Sequence, residues 1–152
     1  MEAELTTFIG RELEAFDRHI TRDAIGRFAS AIGETNPIYH DAERARATGM
    51  KDVPVPPTFL ITLEIDHRDT LRFIRELGLD AATVLHGEQV FYFRSAIYAG
   101  DRVRVQRSIT GAGAKSKTLG YILTSNLFLR EGEVVATSEC TWLVGTEGIA
   151  HD

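Results

Sequence analysis

The sequence predicts an α+β domain in which a curved antiparallel β-sheet wraps around one long central helix. Three observations carry this prediction. Up to about Gly78 the apolar residues recur at helical spacing, broken by loops, whereas from Thr83 to Gly145 they alternate as in strands. Short turns divide the β half, and short turns join antiparallel neighbours. One helix of the first half is apolar on nearly every side, so another layer has to cover it.

The elements follow in order. Thr21 is a helix N-cap, and Ala24, Ile25, Phe28, Ala29 and Ile32 then fall on one face that is expected to be buried. Gly33 stands where a C-terminal glycine belongs. Pro37 keeps Asn36 out of the α region, so residues 34–41 form an extended or turning loop. Asp41 caps a short helix over residues 42–48, and Gly49 ends it. Residues 53–57 are a proline-stiffened, extended lead-in. Pro57 or Thr58 starts the central helix, since proline is well tolerated in a first turn. Leu60, Leu63, Leu71, Ile74 and Leu77 fit its length, which ends near Gly78, and Phe59, Ile61 and Ile65 add apolar groups on other faces. Residues 66–69 (Asp-His-Arg-Asp) interrupt it with a kink or an exposed turn.

In the β half, residues 84–98 read as a long aromatic strand bounded by Gly100 and Asp101. Val103, Val105 and Ile109 share one parity on the next, and residues 111–117 read as a flexible hairpin loop. A further strand covers residues 119–129, and Glu131-Gly132 is a turn. Val134, Ala136, Ser138, Cys140, Trp142 and Val144 then hold one face of the last strand, with Thr137, Glu139 and Thr141 on the other.

Composition bounds the function. With 152 residues, 43% hydrophobic and 26% charged, and neither repeat nor low-complexity tract, the chain reads as one globular domain over residues 1–152. Lysine and arginine total 17 against 22 acidic residues, a net charge of −5. That balance excludes a general affinity for nucleic acid and disfavours a polybasic membrane anchor. No apolar run approaches the roughly 20 residues of a membrane helix. The start, Met1-Glu2-Ala3-Glu4-Leu5, lacks the pattern of a secretory signal, so the expected location is the cytoplasm.

Three tempting motifs fail. His67 has no second histidine at metal-site spacing, so no metal is expected. Cys140, the one cysteine, lies on the apolar parity of its strand and reads as a buried structural thiol. In Gly111-Ala112-Gly113-Ala114-Lys115-Ser116 the residue before Lys115 is alanine, and Ser116 takes the place of a third glycine. Neither a phosphate loop nor a dinucleotide fingerprint survives. For Lys115 and Lys117 two readings stay open, contact with a ligand's phosphate or ordinary exposed lysines.

Four stretches, in order, resemble the hotdog-fold MaoC-like dehydratases and (R)-specific enoyl-CoA hydratases, most closely their N-terminal-domain branch. They are residues 28–41 (Phe-Ala-Ser-Ala-Ile-Gly-Glu-Thr-Asn-Pro-Ile-Tyr-His-Asp), 55–59 (Val-Pro-Pro-Thr-Phe), 85–89 (Leu-His-Gly-Glu-Gln) and 98–101 (Tyr-Ala-Gly-Asp). The resemblance implies a five- or six-stranded sheet around one helix, and dimers of two hotdogs, homomeric or heteromeric. It implies addition or removal of water on acyl thioesters of coenzyme A or acyl carrier protein, typically of (R)-type, with no metal or redox cofactor.

Hydration of a conjugated thioester needs a base for water, a proton for the α-carbon and fixed donors for the enolate oxygen. In the resembled hydratases an aspartate and a histidine five positions later serve the water, and an N–H at the start of the central helix meets the thioester oxygen. The aspartate position falls here on Glu34, the histidine position on Tyr39, and the donor on the N–H of Thr58. A histidine follows one place late, at His40. A phenol is a poor base at neutral pH, whereas an imidazole titrates near it. In an extended segment adjacent side chains point oppositely, so His40 needs a local bulge to turn inward. The expected catalytic residues are therefore Glu34 and His40, with Tyr39 lining the site. Asn36, Thr58 and His86 are the expected substrate-binding residues. Two alternatives stay open: a non-catalytic acyl-binding subunit of a heterodimeric dehydratase, and a hotdog thioesterase whose carboxylate directs water at the thioester carbonyl.

Overall fold

The computed structural model describes residues 2–64 and 72–145. Its helices are α1 (Glu2–Thr6), α2 (Arg22–Ala31), α3 (Ala42–Ala47), α4 (Leu60–Glu64) and α5 (Arg72–Glu76). Its strands are β1 (Glu12–His19), β2 (Val84–Phe93), β3 (Arg102–Ala114), β4 (Leu119–Arg130) and β5 (Glu133–Gly145). Every strand pair is antiparallel, in the order β1-β3-β4-β5-β2, so β1 and β2 are the edges.

The sheet takes the apolar rod into its concave face. Phe59, Leu60 and Leu63 pack with Val103, Val105, Phe128 and Ala136 of β3, β4 and β5. Phe73, Ile74 and Leu77 pack with Ile109, Ala112, Ile122 and Val144. The first stretch is thus interior, as its apolar character requires, whereas the second buries Phe73, Ile74 and Leu77 on one face and leaves Arg72, Arg75 and Glu76 exposed on the other. The expected rod positions Ile65 and Leu71, and the polar stretch 66–69, lie outside the described residues.

Local chemistry sets the ends of the helices. The Ala24 N–H donates to Thr21 Oγ1 at 3.1 Å, a cap of the kind that contributes about 1 kcal/mol. Gly33 closes α2 at φ +73°, a backbone that side chains resist. The Asp41 carboxylate accepts the N–H groups of Arg44 and Glu43, which hold its pKa below the ordinary value. Ile32 corrects the expected buried face of α2: it is 52% exposed, because it is the C-cap residue, where the helical phase ends.

Three further differences have physical causes. The strand β1 was not expected. Leu13 and Phe16 fall on opposite parities, and a register shift between them brings both against the cores, which hides the strand's period from the sequence. The expected loop at 111–117 is strand as far as Ala114. A Cβ on Gly111 would lie 3.0 Å from Leu123 Cδ1, and one on Gly113 3.2 Å from Tyr121 Cε1, so these glycines admit cross-strand side chains. The turn itself is confined to residues 115–118, with Lys115 N donating to Leu119 O at 2.8 Å.

The expected strand 84–98 ends early, at Phe93, where Arg94 and Ser95 both donate to Val135 O. Beyond it the chain changes partner. Val55 N donates to Ile97 O at 3.0 Å and Ala99 N to Val53 O at 2.9 Å. This small ladder fixes the proline lead-in, and so aims the start of the central helix. Finally, of the two forms expected for residues 34–41, extended or turning, the chain takes the turn: Pro37–Tyr39 is a 3-10 turn, with Asn36 Oδ1 accepting from Ile38 N at 3.2 Å.

Candidate active site

The 3-10 turn decides where the loop side chains go. Successive residues on it are about 120° apart, not opposed, so no bulge is needed to bring His40 back toward Glu34. The His40 Nε2 lies 2.7 Å from the Glu34 carbonyl oxygen. A carbonyl only accepts, so Nε2 carries the hydrogen, and in the neutral ring Nδ1 keeps the lone pair. The Glu34 carboxylate accepts the Asn36 N–H at 2.8 Å through Oε1. Glu34 and Tyr39 are half-buried, whereas His40 and Asn36 are exposed.

Thr58 sits on the 3-10 turn Pro57–Phe59, which leads into α4. Its neighbour Phe59 donates to Pro56 O, and Thr58 itself is exposed. Among the described residues nothing accepts the Thr58 N–H, as expected for a first-turn donor. The turn is joined to the loop through α2: the Phe28 and Phe59 rings meet edge-on, centroids 5.4 Å apart. Asp52 braces the same region, since its carboxylate binds both Arg22 and Arg46 and the Val53 N–H. The Arg22 guanidinium leads the causes that hold Asp52 well below the usual carboxylate range.

His86 belongs to a different group. Its Nε2 lies 3.1 Å from Gln89 Oε1, and its ring stands edge-on to Trp142, centroids 5.1 Å apart. Gln89 Nε2 donates to Glu64 Oε1 at 3.3 Å, which fixes the amide's orientation and makes His86 Nε2 the donor to Gln89. Ser138 Oγ also donates to Glu64 Oε1. Asn126 Nδ2 donates to Ser138 Oγ at 2.8 Å, and Arg107 Nε to Asn126 Oδ1 at 2.9 Å. Arg107 Nη2 closes the network on the Glu64 carbonyl.

Glu64 was not singled out from the sequence, although a carboxylate four residues after Leu60 on an apolar rod was the available signal. Burial raises its pKa above the ordinary value, and the Ser138 hydroxyl and Arg107 charge oppose this without cancelling it. Cys140, on the same inward face, is pushed up to about 12, first by burial and then by Glu64, which makes it an inert thiol.

A carboxyl with a raised folded pKa favours the fold fully below the unfolded value of about 4.3, and loses that contribution as pH climbs through the folded value. Glu64→Gln is therefore expected to gain stability relative to wild type between about pH 4 and about pH 7.5. Urea midpoints at the two pH values check this, and a constant difference contradicts it.

Among the described residues no cluster of His, Cys, Asp and Glu can hold a metal ion, and no helix is long and apolar enough to cross a membrane.

Comparison with known proteins adds the following. The family model of the FAS1-like dehydratase domain region matches residues 7–138. The UPF0336 protein of Saccharopolyspora erythraea is 34% identical over 147 residues, covering 96% of this chain and 93% of that one. Among solved structures, the 3R-hydroxyacyl-ACP dehydratase complex HadBC of Mycobacterium tuberculosis superposes with TM-score 0.74 at 22% identity, covering 90% of this chain and 96% of that one. The R-hydratase PhaJ1 of Pseudomonas aeruginosa does so with TM-score 0.68 at 16% identity, covering 95% and 86%. The fold is the hotdog of these dehydratases and hydratases.

Proposed function

Given that the chain belongs to the FAS1-like dehydratase family, we propose that it works within a hotdog dimer interconverting 3-hydroxyacyl and enoyl thioesters of coenzyme A or acyl carrier protein, with (R)-type stereochemistry, in fatty acid metabolism. The observation that carries this reading is the closure of His40 on Glu34. It sets an imidazole with a free Nδ1 and a carboxylate in one short loop, tied through Phe28 and Phe59 to the turn that offers the Thr58 N–H.

In the hydration direction, water held by Glu34 and His40 loses a proton as its oxygen bonds to the β-carbon. The π pair of the double bond shifts to join the α-carbon to the carbonyl carbon as the carbonyl π pair moves onto the thioester oxygen, where the Thr58 N–H and the partial positive charge of the helix start receive the enolate charge. The proton then returns to the α-carbon. Tyr39 and Asn36 line this space. A second hotdog fits the free edge at β2, where Leu85, Tyr92 and Phe93 are 64%, 53% and 46% exposed.

Two observations favour a second reading. Tyr39 stands five positions after Glu34, and the Glu34 carboxylate already serves the Asn36 N–H. On that reading the chain is the acyl-binding subunit of a two-component dehydratase, an assembly of the kind that the name of the HadBC complex describes.

The purified chain with crotonyl-CoA separates the possibilities. Loss of enoyl absorbance without free thiol supports hydration. Turnover that appears only with a second hotdog supports the subunit reading. Release of thiol identifies a thioesterase and overturns both.

A further inference from the structure

The polar residues beneath α4 form a belt across the sheet. Arg107 stands opposite Asn126 and Asn126 opposite Ser138, while Gln89 stands opposite Cys140 on the same inward face. The belt separates two apolar clusters, one around Leu60 and Phe128, the other around Ile74 and Ile122. The inward row of edge strand β2 changes character one inward pair beyond Ser138, which Phe91 faces. Phe93 and Phe91 come first in the direction of the belt, then Gln89 and His86. This row is only partly covered: Phe91 and Gln89 are half-buried, and Phe93 and His86 are exposed.

Glu64 follows Thr58 by six residues, which is about 9 Å along a helix. An acyl chain whose thioester oxygen sits at the Thr58 N–H, running between α4 and β2, passes an apolar wall for about that distance and then meets the belt. There the Gln89 amide and the Ser138 hydroxyl are committed to the Glu64 carboxylate, which is 6% exposed. A methylene enters only by breaking those bonds and leaving buried polar atoms unpaired.

We propose that the Glu64–Gln89–Ser138 belt closes the acyl-binding cleft, so that the chain selects acyl thioesters short enough to end before it. This rests on the acyl-thioester reading above. The test is calorimetric binding of hexanoyl-CoA and lauroyl-CoA to the wild type, to Gln89→Leu and to Ser138→Ala, with a thermal melt of each. Gln89→Leu replaces a half-buried amide by an apolar group of similar size and leaves the Ser138 hydroxyl on Glu64 Oε1, and the thermal melt establishes that the variant is folded. In the wild type, lauroyl-CoA is expected to bind no more tightly than hexanoyl-CoA. In folded Gln89→Leu the affinity ratio is expected to move about tenfold toward lauroyl-CoA. Ser138→Ala moves it in the same direction. A wild type that already binds lauroyl-CoA tenfold more tightly, or a ratio unmoved in folded variants, overturns the belt's role alone. Failure of the folded wild type to bind either thioester overturns the acyl-thioester reading, and the belt's role with it.

Discussion

Glu34→Gln and His40→Ala are each expected to slow crotonyl-CoA hydration by about 10²–10⁴-fold, the range over which a positioned acid or base acts. Both should leave the fold intact. Gln at position 34 keeps an oxygen to accept the Asn36 N–H, so the loop retains its closing bond. His40 is exposed, and among the described residues its side chain makes one hydrogen bond, to the Glu34 carbonyl. Glu34→Gln keeps its bond and His40→Ala removes one exposed bond, so each is expected to shift stability by about 1 kcal/mol or less. The substitutions therefore report on chemistry, and a melting curve run beside the rate assay verifies it. Unchanged rates in both variants would remove the loop from the mechanism. If turnover requires a second hotdog, the same comparison is made in the reconstituted pair. Rates that remain unchanged there assign the acid–base work to the partner.

Asp101→Ala is expected to cost about 3 kcal/mol of stability, as breaking a largely buried ion pair does. Asp101 is 5% exposed. Burial alone would raise its pKa, but the Tyr98 N–H, the Arg130 guanidinium and the Lys51 ammonium outweigh burial and hold it below the ordinary value. Alanine would leave Arg130 Nη1 with only the Ala96 carbonyl, and the Tyr98 N–H with no carboxylate. The knot also lies where the chain crosses from β1 to α2, since Ile20 N donates to Asp101 O and Gly100 N to Ile20 O. Because the folded pKa is depressed, this contribution is present above the unfolded value of about 3.9 and is lost as pH falls through the folded one. Urea unfolding at neutral pH measures it. A loss below about 1 kcal/mol would mean that the pair behaves as an exposed one.

Much of the architecture was legible because local chemistry specified it. Thr21, Asp41 and Gly33 act through bonds and dihedrals within four residues of themselves, and all three do what their residue types predict. The Glu131-Gly132 turn, with φ of 54° and 88°, is equally local. The burial of α4 followed from its lack of an exposed polar face. What the sequence hid depends on register or distance. A one-residue shift between Leu13 and Phe16 erased the alternation of β1. Gly111 and Gly113 look like loop residues until Leu123 and Tyr121 are set across from them. His40 falls out of line with Glu34 only on the extended alternative for the loop, and the 3-10 turn that forms instead changes the angle between neighbours. The Glu64 network was out of reach, since Ser138 lies 74 positions away and no local pattern links the two.

The central claim is that the turn opening the central helix receives a thioester oxygen. The most direct measurement follows the backbone amide signals of the isotope-labelled chain during titration with butyryl-CoA. The Thr58 amide is expected to move most and to gain protection from hydrogen exchange, with loop residues 34–41 responding alongside it. Saturable binding that leaves the Thr58 amide unmoved would contradict the account.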